Sequence, residues 1–315
     1  MRVLVVGAGA LGGYFGGRLA EAGRDVSFLV RPAREEQLVR DGLRIRSQHG
    51  DADLRVRTVR TGAELGGPYD LILLTVKSHA LDRAIADMAP AVAEGAAILP
   101  VLNGMRHLDR LTERFGRERV LGGLSIIAAT LDWQGRVVQA MVPNHDIVFG
   151  ELEPGPHSAR VRRITALFEG ARCAWRASED IVQDMWEKWA GMAATSGLTC
   201  LMRASVGDVL ETPGGQEAAL ALWAEAAAVA AAHGHAPRPA FRAMSEDFLT
   251  RRGSTLTASM LRDIEAGSET EGEHILGDLV ERARAAGVAT PILDLARCHV
   301  AAYAARRKRE REAAA

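Results

Sequence analysis

The sequence predicts an α/β domain built on a parallel sheet, followed by an all-α domain, and three observations carry that expectation. Short aliphatic runs alternate with amphipathic helical patterns through the first half, a glycine-rich turn joins the first run to the first helix, and strand signals cease after Ser178. Runs apolar on both faces are what a parallel sheet covered by helices on both sides requires.

The runs are VLVV at residues 3–6, VSFLV at 26–30, LILLTV at 71–76 and AAILPVL at 96–102. From Val120 to Glu151 longer β-rich segments surround the turn Trp133-Gln134-Gly135, and they are expected to extend the sheet through antiparallel strands. A helix near 159–170 and a strand near 173–176 follow. Residues 179–305 then read as helix, with breaks at 212–215, 234–239 and 287–291 where glycine and proline gather. The boundary is placed at residue 178, dividing the chain into 1–178 and 179–315. The charged tail from Arg306 reads as a solvated, fraying helix end.

A chain of 315 residues can bury a substantial core without disulfides or metals. Its composition, 48% hydrophobic and 25% charged with a net charge of -1, gives no reason to expect a nucleic-acid partner. The start MRVLVVGAG runs into a strand without a charged leader and cleavage site, and no apolar run reaches the about 18 residues of a membrane span. A cytoplasmic protein without a membrane span is expected. Cys173, Cys200 and Cys298 are widely spaced and odd in number, and the histidines lack HExxH spacing, so neither a disulfide framework nor a metal site is expected.

Gly7-Ala8-Gly9-Ala10-Leu11-Gly12 lies between the first strand and the first helix, the context in which a GxGxxG motif binds a dinucleotide. Gly7 permits the tight turn, Gly9 lets backbone approach a pyrophosphate, and Gly12 brings helix against strand. The first helical residues, including Ala10 and Leu11, supply N–H donors and the positive end of the helix dipole. The first domain is thus expected to be Rossmann-type. An NAD site would carry an acidic residue after the second strand, but VSFLV is followed by Arg31, with Arg34 a turn later. A guanidinium there suits the 2′-phosphate of NADP, which is expected over NAD. Lys77 and Asn103 follow the third and fourth runs, at the strand edge where such sheets bind ligands.

In MWEKWAGMAATSGLTC, residues 185–200, helical spacing puts Lys188, Met192, Thr195 or Ser196, and Thr199 on one narrow stripe. Val182, Trp186, Trp189 and Ala193 form an apolar one. Periodicity alone leaves two readings of Lys188: a reactive lysine, or one whose stem lies on the indole rings while its head reaches water. Glu271 is equally double-edged, because Ser268-x-x-Glu271 has capping-box spacing.

Taken in order, GAGALGGYFGGRLAEAG, LVR ending at Arg31, TVK ending at Lys77, LNGM containing Asn103, FGE at 149–151, DMWEK ending at Lys188, and SMLRDIEAGSETE ending at Glu271 resemble the ketopantoate reductase (2-dehydropantoate 2-reductase) family over nearly the whole chain. The resemblance implies an NADP-binding domain over 1–178, a helical substrate and catalytic domain over 179–315, and NADPH-dependent reduction of a 2-oxo acid, 2-dehydropantoate first among candidates. It implies that Lys188 is the catalytic lysine, Glu271 its acidic partner, Ser259 and Asn103 substrate contacts, and Arg31 and Lys77 the cofactor's cations. Asn103 and Glu271 are also expected to border the cofactor. One departure stands out: where the family usually has asparagines one and two turns after the lysine, this chain has Met192 and Ser196. Both positions face substrate by resemblance, so a less polar carbonyl substrate is the alternative, and a non-catalytic NADP-binding regulator is another. The alanine-rich run 216–232 suits close helix packing, within the domain or across a homodimer.

Overall fold

The computed structural model describes residues 1–60, 65–140 and 142–313. By contacts the chain divides into two compact units, Met1–Leu102 with His107–Val182, and Asn103–Arg106 with Gln183–Ala315. The turn Asn103–Arg106 thus groups with the helical residues, an exchange between units that a single boundary at residue 178 does not express.

In the first unit the chain runs β1 (Arg2–Val6), α1 (Ala10–Glu21), β2 (Asp25–Leu29), α2 (Pro32–Asp41), β3 (Leu43–Arg46), β4 (Ala52–Leu54), β5 (Arg57–Val59), β6 (Leu71–Leu74), α3 (Leu81–Met88) and β7 (Ala97–Pro100). After α4 (Arg106–Phe115) come β8 (Leu121–Ile127), β9 (Ala129–Leu131), β10 (Val137–Gln139), β11 (His145–Glu151), α5 (Ala159–Phe168) and β12 (Ala174–Ala177). The first sheet is parallel with order β5-β2-β1-β6-β7. The four aliphatic runs supply its β2, β1, β6 and β7; Val3, Leu4, Val5 and all of β6 are fully buried, as a strand covered on both faces demands. The edge strand β5 has no aliphatic run to announce it.

The β-rich segments do not extend this sheet as expected. They form two further sheets, β4-β3-β10-β9 and β12-β11-β8, the latter meeting β7 through a lone bridge between Ile98 and Val120. Helix α1 explains the separation. A Cβ on Gly16 would press on Val5 and Phe28 of the parallel sheet, at 2.7 and 2.8 Å, whereas one on Gly13 would lie 2.7 Å from Val137 and one on Gly17 2.7 Å from Ile45, in the second sheet. The helix is bare on two faces and lies between two sheets, closer to each than any side chain would allow.

The second unit holds α6 (Ile181–Met202, its first two residues counted with the first unit), α7 (Val206–Leu210), α8 (Gly215–Ala232), α9 (Pro239–Thr250), α10 (Ser259–Glu265), the π-helical turn Glu273–Gly277, α11 (Asp278–Ala285) and α12 (Pro291–Ala313). Among the described residues no strand follows β12. The alanine-rich helix α8 packs within its own unit: Ala219, Ala226 and Ala230 are fully buried, against α9, α11 and α12. Its Glu225 accepts from the backbone N–H groups of Ile292 and Leu293, satisfying the start of α12 with a carboxylate, the charge a helix N-terminus favours. No helix is long and apolar enough to cross a membrane, and no group of three or more His, Cys, Asp or Glu among the described residues could hold a metal ion.

Candidate active site

In the first unit, Gly7 turns the chain at φ +93°, a conformation that L side chains rarely adopt, and Gly9 caps α1 with extended backbone. A Cβ on Gly12 would overlap the Gly7 carbonyl oxygen and Thr75 Oγ1, so the third glycine is a steric necessity. A Cβ on Gly9 would meet nothing within 4 Å, leaving its outer side open to an approaching group. Thr75 fixes the loop from the neighbouring strand end: its hydroxyl lies 3.1 Å from the carbonyl oxygen of Val6 and 2.9 Å from that of Gly7. The first N–H groups of α1, from Ala10 to Gly12, have no acceptor within the helix and face that opening with the positive end of the dipole.

Because β2, β1 and β6 are adjacent and parallel, the residues after them share one sheet edge. Arg31 stands there as the N-cap of α2, exposed, and Lys77 precedes the short 3-10 helix Ser78–Ala80, also exposed. Arg34 has a different use. Its Nε donates to the Ala8 carbonyl at 2.9 Å and its Nη1 to the Gly135 carbonyl at 2.8 Å, bracing the glycine loop against the β9–β10 turn. Neither Thr75 nor this use of Arg34 was foreseen. Thr75 did leave a trace, as the polar residue within an otherwise aliphatic run.

In the second unit, Lys188 Nζ donates to Asn103 Oδ1 at 3.1 Å, and Asn103 Nδ2 faces Glu271 Oε2 at 3.4 Å. The amide is oriented by chemistry: its acceptor meets the ammonium, its donor the carboxylate. Burial pulls the Lys188 pKa from 10.5 down to about 8, while the Glu271 charge opposes that shift. The Asn103-Gly104 turn exists because Gly104 sits at φ +73°, where a Cβ would come within 2.9 Å of the His274 carbonyl oxygen. His274 is buried beneath this turn, and burial lowers its pKa.

Beside Lys188, Trp186 and Trp189 are 4% and 1% exposed, Trp186 stacks with His233 and His235, and Trp189 Nε1 donates to the Ile275 carbonyl at 2.9 Å. The capping box does not form as spaced, since the Ser268 N–H donates to the Asp263 carbonyl and the helical turn begins only at Glu273. Elsewhere on α6, buried Asp184 and Glu187 bind Arg238, with Arg238 Nε 2.9 Å from Glu187 Oε1, and anchor the start of α9.

Of the other expected substrate positions, Met192 is half-buried one turn after Lys188, and Ser196 is buried. Ser259 opens α10 with an exposed side chain, outside the Lys188–Asn103–Glu271 network. The thiols of Cys173 and Cys200 are buried, which pushes both up to about 12 and makes them inert.

Comparison with known proteins shows the family. The family model Ketopantoate reductase PanE/ApbA matches residues 3–154, and Ketopantoate reductase PanE/ApbA C terminal matches residues 180–303. The Bacillus subtilis (strain 168) protein named Uncharacterized oxidoreductase YkpB is 36% identical over 97% of this chain and 99% of its own. The 2-dehydropantoate 2-reductase of Archaeoglobus fulgidus is 30% identical over 91% of this chain and 92% of its own. The crystal structure of 2-dehydropantoate 2-reductase from Methylococcus capsulatus, 30% identical, covers 98% of each chain with a TM-score of 0.84. With both models matched in order and these relatives aligned along nearly its whole length, the chain belongs to the ketopantoate reductase family and is an oxidoreductase.

Proposed function

We propose that the protein uses NADPH to reduce a 2-oxo acid to the 2-hydroxy acid, with Lys188 as the general acid and 2-dehydropantoate as the reference substrate. The observation that carries this reading is the Lys188–Asn103–Glu271 network with its depressed lysine pKa. The glycine loop suits a dinucleotide: Gly9 is open on its outer side, and the N–H groups after it are available to phosphate. Arg31 and Lys77, exposed at the same sheet edge, are assigned to the cofactor's phosphates, with Arg31 on the 2′-phosphate that separates NADPH from NADH.

When bound, NADPH supplies the hydride to the ketone carbon. Negative charge then grows on the substrate's carbonyl oxygen, and the Lys188 ammonium, aimed at it, stabilises that charge and delivers the proton. Asn103 holds the ammonium through Oδ1, and Glu271 fixes the amide so that its oxygen points to the lysine. A pKa of about 8 leaves Lys188 mostly protonated at neutral pH yet acidic enough to give the proton up. Ser259 is assigned to the substrate carboxylate, and Met192 and Ser196 to the substrate's side chain. The test is NADPH oxidation over a panel of 2-oxo acids, in the wild type and in Lys188→Ala. Turnover that depends on Lys188 supports the proposal. Tight NADPH binding with no turnover of any acid would make the protein a nucleotide-binding regulator instead.

A further inference from the structure

We propose that Arg34 is a positioning residue of the dinucleotide site, holding the glycine loop in its phosphate-binding conformation and serving NADPH and NADH alike; this rests on the cofactor reading above. In sequence Arg34 follows Arg31 by less than one helical turn. Its contacts give it a different task. From the first turn of α2, one guanidinium spans two backbone segments: Nε donates to the Ala8 carbonyl at 2.9 Å, and Nη1 donates to the Gly135 carbonyl at 2.8 Å and to Gln37 Oε1 at 2.6 Å. The far anchor is itself tied down. Gln37 Nε2 donates to the Gln134 carbonyl at 2.6 Å, and Asp132 Oδ1 accepts from the N–H groups of Gln134 and Arg136, both at 2.9 Å.

What this brace does to the loop follows from peptide geometry. In a trans peptide the C=O and the N–H point to opposite sides of the chain, so holding the Ala8 carbonyl on Arg34 turns the Gly9 N–H away from it. Gly9 is also the N-cap of α1, so this peptide directs the chain into the first turn, whose N–H groups are the phosphate donors. Thr75 Oγ1, 2.9 Å from the Gly7 carbonyl oxygen, steadies the preceding peptide from the end of β6. Charge adds to orientation. Arg34 is half-buried, and its Nη2 is buried without a hydrogen-bond partner among the described residues. The acids beside it in sequence and in the turn are engaged elsewhere, Glu35 with Arg60 and Asp132 with Arg136, each at 2.6 Å. Burial lowers the Arg34 pKa, and no carboxylate opposes that shift. A cation so placed carries a desolvation cost that the negative charges of a bound pyrophosphate offset.

The experiment titrates NADPH, NADH and 2′-AMP, which carries the 2′-phosphate but no pyrophosphate, into the wild type and three variants by calorimetry. Arg34→Met keeps the stem and loses the donors and the charge. It should weaken NADPH and NADH by the same factor, about 10- to 100-fold, and leave 2′-AMP within about twofold. Arg34→Lys keeps the charge without the planar fork and should recover only part of the loss. Arg31→Ala should show the opposite pattern, losing NADPH and 2′-AMP but not NADH. Loss of NADPH alone in Arg34→Met would make Arg34 a 2′-phosphate ligand and overturn the inference. So would unchanged binding of all three ligands, full recovery in Arg34→Lys, or loss of all three in both Arg34 variants, which would make the brace a support of the whole domain. A wild type that binds neither dinucleotide would instead overturn the cofactor reading on which the inference rests.

Discussion

Lys188→Met replaces an ammonium by an apolar chain of similar length, and it should act in opposite directions on catalysis and on stability. Removing the proton donor should lower kcat by about 10²–10⁴-fold, roughly 3–5 kcal/mol of barrier. For stability, the lysine's folded pKa of about 8 lies below its ordinary 10.5, so between these values the unfolded chain holds more protons and stability rises with pH. Below about 8 the cost of the desolvated ammonium is fully present, roughly 3 kcal/mol at about 1.4 kcal/mol per tenfold. The hydrogen bond to Asn103 returns about 1 kcal/mol of this, so the methionine variant should be more stable at neutral pH by about 1–2 kcal/mol, an advantage that shrinks as pH climbs past 8 toward 10.5. Urea unfolding midpoints at neutral and alkaline pH, with steady-state NADPH oxidation on the same samples, measure both effects. A variant that is less stable at neutral pH and turns over within tenfold of wild type would refute both the buried-ammonium account and the general-acid role.

Asn103→Asp puts a carboxylate against the ammonium, so the lysine pKa rises and the alkaline limb of the kcat/KM profile should move above its wild-type position near 8; an unmoved limb would mean that Lys188 does not set it. Gly9→Ala meets nothing within 4 Å and should leave thermal unfolding unchanged while weakening NADPH binding about tenfold or more; normal binding would show that no ligand approaches there. Gly12→Ala, by contrast, overlaps Gly7 and Thr75 and should cost about 1–3 kcal/mol of stability even without cofactor, read from urea midpoints. Arg31→Ala should weaken NADPH by about 10- to 100-fold and leave NADH unchanged in fluorescence titration; equal losses would remove the 2′-phosphate assignment.

How far the sequence leads depends on whether a property is local. The aliphatic runs fix their own burial, so they name four strands of the parallel sheet, whereas β5, Arg57–Val59, is a strand only because β2 offers it an edge. The glycines of α1 are legible as close packing, but two of them face a second sheet whose strands come from 43–46 and 137–139, a partnership no local pattern records.

By itself the sequence determined the α/β-then-α order, the dinucleotide loop, and the residue types fit for carbonyl reduction, because periodicity, turn glycines and side-chain chemistry are written within a few residues of one another. Only the tertiary structure decided what surrounds Lys188. Its environment is made by Asn103, 85 residues before it, and by Glu271, 168 residues after Asn103, while both flanking tryptophans turn inward. A pKa and a binding surface belong to neighbours in space, and helical spacing records neighbours only along the chain.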